Sequence, residues 1–166
     1  MPLHPAIVHL PIALAVLMPL VTIGLLIAWW RGALQRRTWT IAIVLQGLLV
    51  GSGVLAMRSG EADEDRVEAV VAHDVIHAHE EAAETFVYGA AGVLVLVLVA
   101  GLIPRERAAR AVAALAATGT LAVLGLGYLT GKAGGELVYR HGAPAAFASE
   151  RAAPPASTGH IHAEND

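Results

Sequence analysis

Apolar residues fill residues 6–30 almost without a break, as Val, Leu, Ile and Ala, and no charged side chain appears until Arg31. At about 1.5 Å per residue such a helix is long enough to cross a hydrocarbon core roughly 30 Å thick. The pattern recurs over residues 38–57, 86–103 and 111–130, which predicts four membrane spans. Pro11 suits the first turn of the first span, whereas Pro19 falls mid-span and predicts a kink. Residues 61–84 read differently: they are acidic, and Val67, Val70, Val71, Val75 and Ala78 recur at three- to four-residue spacing. This predicts an amphipathic helix that lies on the end of the bundle or extends into the third span, which Pro104 closes. The fold class expected is an all-α integral membrane protein, a four-helix transmembrane bundle with an amphipathic extramembrane helix between spans two and three. Residues 1–142 form the membrane domain, and the Ala-, Pro- and Ser-rich residues 143–166 are expected to be a disordered tail.

Composition agrees with the pattern. The chain is 56% hydrophobic and 15% charged, with a mean hydropathy of +0.61, far from an ordinary soluble domain. The start does not read as a signal peptide: histidines lead the apolar run, no cleavage site follows, and Trp29-Trp30-Arg31 closes it, so the segment is expected to be retained. With no cysteine, disulfides, thiolate metal sites and iron–sulfur clusters are excluded. A formal net charge of −3 makes nucleic acid an unsuitable partner. Arginines mark two short loops, Arg31, Arg36 and Arg37 in one and Arg105, Arg107 and Arg110 in the other, while the connection between spans two and three is acidic. The positive-inside rule then places the basic loops on the cytoplasmic side, and both termini with the acidic segment on the other. His4, His9, His73, His77, His79, His141, His160 and His162 all fall on that non-cytoplasmic side by this count.

That convergence raises two ligand chemistries. In the first, neutral imidazoles from two helices take the axial positions of a b-type haem, and Gly47, Gly51, Gly125 and Gly127 leave room for the flat macrocycle. The plainer account of the same glycines is close helix packing in lipid. In the second, His73 and His77 share one helix face with Glu80, Glu81 and Glu84, a donor set for zinc or copper. The plainer account there is a solvated charged face. His160 and His162 add weak, exposed metal affinity at most. Nucleophilic catalysis has no support: Ser52, Ser59, Ser149 and Ser157 sit in no nucleophile elbow, and no phosphate-binding loop is present.

The stretches His4-Pro5-Ala6-Ile7-Val8-His9-Leu10-Pro11-Ile12-Ala13, Ser59-Gly60-Glu61-Ala62, His79-Glu80 and Gly134-Gly135-Glu136-Leu137-Val138-Tyr139-Arg140-His141-Gly142 together resemble the bacterial membrane family catalogued as domain of unknown function 2231. The resemblance covers roughly residues 3–142, with Leu10 where many relatives carry phenylalanine. It implies a small four-span inner-membrane protein associated with haem or redox chemistry, and it points to His9, His79 and His141, with His4 beside them. His73 and His77 are outside its motifs.

The reading that follows is a haem b electron-transfer protein rather than a stand-alone enzyme. His9 and either His79 or His141 are the expected axial ligands, and Tyr139, Arg140 or Arg58 the expected propionate partners. Two alternatives accompany it. One is a cofactor-free accessory subunit of a larger membrane redox complex, or a homodimer, embedded in the lipid bilayer. The other is a periplasmic zinc- or copper-binding protein using His9, His79, His141, His73 and His77.

Overall fold

A chain that buries its backbone in lipid must satisfy every N–H and C=O internally, and apolar runs of this length do so as helices. The computed structural model describes residues 4–147, and among these there is no strand. The helices are α1 (His4–Ile7), α2 (His9–Trp30), α3 (Thr40–Glu61), α4 (Glu64–Glu68), α5 (His73–Leu102) and α6 (Glu106–Tyr139), with a 3-10 turn at Arg36–Trp39 leading into α3. Helices α2, α3, α5 and α6 supply the four spans, long and apolar enough to cross a membrane. Each packs against the next in the ring α2, α3, α5, α6 and back to α2, as an up-down-up-down bundle with short loops requires.

Local chemistry ends these helices where the sequence breaks. Gly32 has φ +72°, and the Ala33 N–H reaches back to the Ala28 carbonyl at 2.9 Å, a turn that closes α2 and that a side chain would strain. Ile103 is extended because Pro104 follows it, and this stops α5. Pro19 sits buried inside α2, which continues through it to Trp30.

Small residues set the packing distance. Along α6 the buried positions are Ala109, Ala113, Ala116, Ala117, Thr120 and Val123, and α5 answers with Val87, Ala90, Val93, Val97 and Ala100. A Cβ at Gly119 would stand 2.8 Å from Val93 Cγ2. Buried hydroxyls and amides turn to the backbone: Thr120 donates to the Ala117 carbonyl at 2.6 Å, and Gln46 Nε2 donates to the Ala90 carbonyl at 2.9 Å.

The two ends of the bundle differ. At the arginine end, Trp39 Nε1 donates to the Val97 carbonyl at 3.0 Å and Arg36 donates to the Gly101 carbonyl at 2.6 Å, while Trp29 donates to Glu106 at 3.0 Å. At the histidine end α5 and α6 outrun their partners. With 30 and 34 residues they measure about 45 and 51 Å, against about 33 Å for the 22-residue α2. The excess lies beyond Tyr88 and Tyr128, which are 69% and 71% exposed, as the aromatic belt of a membrane protein is. The acidic residues 61–84 therefore divide into the end of α3, the short α4 and the first turns of α5. Val71, Ile76, Leu137 and Ala143 bury one another there in a satellite core, with Val67 and Val75 against it. Ala143, the first residue of the expected tail, belongs to this core. The rest of that tail, from residue 148 and with His160 and His162, lies outside the described residues.

Candidate functional site

Depth in the bundle can be counted from Phe86. Its ring lies against Gly53 of α3 at 3.7 Å and Gly127 of α6 at 3.2 Å from where a Cβ would stand, with Ala15 of α2 also beside Gly127. Seven residues outward on α3, α5 and α6, about 10 Å further along the axis, a similar layer recurs with imidazoles in it. His79 of α5 rests on Gly134 of α6, 3.1 Å from a Cβ placed there, and His4 of α1 rests on Gly60 of α3 at 3.3 Å. Two turns beyond Phe86, this layer is outside the membrane-crossing part of α5, which the acidic residues Glu80, Glu81 and Glu84 also keep out of lipid.

Each ring is held by one nitrogen. His4 Nδ1 is 2.9 Å from the Ala56 carbonyl and 2.9 Å from Ser59 Oγ, and Ser59 itself donates to that carbonyl at 2.7 Å. A carbonyl only accepts, so Nδ1 carries the hydrogen and Nε2 of the neutral ring keeps its lone pair. His79 is bonded to the Thr130 carbonyl, and its Nδ1 is buried with no partner. The hydrogen is therefore on Nε2 and the lone pair on Nδ1. Burial, and then the nearby His4, hold the His79 imidazole below the usual histidine range, so it is neutral near pH 7. Thr130 also donates its hydroxyl to the Ala82 carbonyl at 2.9 Å, fixing α6 to α5 one turn from the ring. Two imidazoles on different helices, each oriented by a carbonyl behind it, match the way histidines that ligate metals are held.

The other expected site residues do not join this layer. His9 and His141 are exposed, and their side chains make no hydrogen bond or ion pair among the described residues. Tyr139 is 89% exposed, and Arg58 and Arg140 are exposed at the same end, Arg140 facing Glu136 at 3.7 Å. His73 and His77 sit on the surface with ring centroids 6.1 Å apart. His73 Nδ1 pairs with Glu68 Oε1 at 2.7 Å, and Glu64, Glu68 and His73 bring their donor atoms within 4.8 Å of one another. That pairing with Glu68 raises the His73 pKa above the usual value.

A macrocycle between the helices needs an interior slot. Gly47, Gly51 and Gly125 have nothing within 4 Å of a Cβ position, so they face away from neighbouring helices, and Gly127 faces the Phe86 ring. The glycines expected to make room for haem do not make it inside the bundle. The donor chemistry of His4 and His79 suits an imidazole-bound metal all the same. Gly60, Gly134 and Thr130 are the parts of the site that sequence reasoning left without a role. The heptad step from Gly53 to Gly60, matched by Gly127 to Gly134, is the signal that could have found the two glycines.

Fold and site together define a four-span α-helical membrane protein with paired histidines at one end of the bundle. The chain belongs to the DUF2231 family of predicted membrane proteins, whose model matches residues 1–146. No curated protein and no solved structure matches it.

Proposed function

We propose that the protein is a metal-binding electron carrier of the bacterial plasma membrane, with its site at the periplasmic end of the bundle between His4 and His79. The observation that carries this reading is the pair itself: two rings from two helices, one nitrogen of each tied to a carbonyl, the other left with a lone pair. Copper is the best match, because two imidazoles with no cysteine make a ligand set that copper(I) accepts at low coordination number, whereas zinc calls for four ligands. In this reading Ala56, Ser59 and Thr130 orient the ligands, and Gly60 and Gly134 let the rings lie flat on the helices. The arginines at the opposite end support an orientation with the histidines outside the cytoplasm in this reading.

Haem b would use the same two rings with its macrocycle at the open end of the bundle, near Arg58 and Arg140. The outward glycines Gly47 and Gly51 favour a second reading, in which the chain packs against another membrane subunit or its own copy and holds no cofactor. Purified protein loaded with copper and measured by elemental analysis separates these. About one ion per chain is expected, falling to background in His4→Ala and in His79→Ala, with His9→Ala and His141→Ala unchanged. Full copper retention in both of the first two variants, folded by melting profile, would overturn the site. A sharp α-band in the reduced-minus-oxidised spectrum would make the group haem, and a colourless, metal-free protein with a fixed partner would establish the subunit reading.

A further inference from the structure

A ligand can use a lone pair only where it can reach it. His79 Nδ1 is buried without a partner, with His4 nearby, so in the closed arrangement that nitrogen is shut off from solvent. Some element must move for the site to load. At this level α5 and α6 are tied together by the Thr130 hydroxyl on the Ala82 carbonyl at 2.9 Å. α4 is seated through Val67 and Val71 in the satellite core with Ile76 and Leu137. None of these three moves without losing buried contacts.

α1 is held differently. It packs on α3 and buries none of its own residues. Its one side-chain hydrogen-bonding attachment among the described residues is His4, whose Nδ1 is shared between the Ala56 carbonyl and Ser59 Oγ, both at 2.9 Å. The helix behind it is interrupted at Val8, between the end of α1 and the start of α2. Pro11 accounts for the break: it has no N–H to return to the Ile7 carbonyl four residues back, and its ring crowds that carbonyl. The bonds that frame the break, Val8 N–H to the His4 carbonyl at 3.1 Å and Ile12 N–H to the Val8 carbonyl at 3.3 Å, are at the long end of the usual range.

We propose that α1 is a strap hinged at Val8, which lifts from α3 to uncover His79 Nδ1 and on its return brings His4 back to the site. The strap rests on the reading of His4 and His79 as one ligand site and concerns how that site opens. Lifting α1 breaks the hydrogen bonds of a single ring, whereas parting α5 from α6 exposes Ile76 and Leu137. The motion through the proline break is therefore the easier one.

Amide hydrogen exchange of the full, metal-free chain in detergent reads the opening over residues 8–10, whose N–H groups point back into α1. Ser59→Ala removes one of the two partners of His4 and leaves the Ala56 carbonyl, so it should speed that exchange about five-fold. Pro11→Ala returns the missing N–H and should slow it. In copper(I)-loaded protein, release to excess chelator should level off at a rate independent of chelator concentration and shift with the two variants in the same directions. Equal exchange over residues 8–10 in all three proteins, or release that keeps rising in proportion to chelator, would overturn the strap. Shifted exchange in a chain that takes up no copper would sustain the hinge and refute the copper site instead.

Discussion

At the scale of single residues, burial sets six chemically identical imidazoles among the described residues in different environments. His79 is shut between α5 and α6 and kept neutral, while His73, six residues away on the same helix, is exposed and paired with Glu68. The sign of each shift follows: desolvation disfavours the charged ring, and a carboxylate in hydrogen-bond contact favours it. His73 is therefore charged below the ordinary histidine pKa near 6.5, and the contact that joins α4 to α5 weakens as the pH rises through its raised pKa. Histidine NMR titration should find His73 above that ordinary value, and Glu68→Gln should return it. No change in Glu68→Gln would mean that the carboxylate does not hold the ring. That the described histidines gather at this end was legible in the sequence, because span counting puts them all at the same ends of their helices. Which histidines turn inward was not, since His4 and His9 lie in one motif, yet His4 docks on α3 and His9 stays exposed.

At the scale of elements, the four spans were legible because lipid leaves a chain little choice but a long apolar helix. Their outer ends were not. Residues 73–84 have the charge of a surface helix, and they continue α5 without a break because α6, longer still, packs alongside them, with Ile76 and Leu137 buried together. Packing between these two helices depends on glycine at the points of closest approach. A side chain at Gly119 meets Val93, whose branched Cβ cannot swing aside, so Gly119→Val should destabilise the bundle by about 1–3 kcal/mol. Gly125→Val, with open space beside it, should be close to neutral. Equal melting of the two variants in detergent would refute this account of the α5–α6 contact.

At the scale of the whole molecule, charge and chemistry are divided between two ends. Six arginines, three tryptophans and a single carboxylate gather at one, and every described histidine at the other. Because the chain has no cysteine, orientation can be read from single introduced cysteines. A membrane-impermeant thiol reagent on intact cells should label Asp65→Cys and spare Arg37→Cys; the reverse pattern would invert the topology.

Two quantities were determined by the sequence alone: the number of spans and the segregation of arginine from histidine. Both depend on the average character of long segments, which the bilayer reads without regard to neighbours. Only the tertiary structure decided that Gly60 and Gly134 lie under imidazoles, that Gly47, Gly51 and Gly125 face outward, and that Thr130 closes the site from a fourth helix. A helix apolar on every side carries little information about its own rotation, so these contacts emerge only when the four helices pack together.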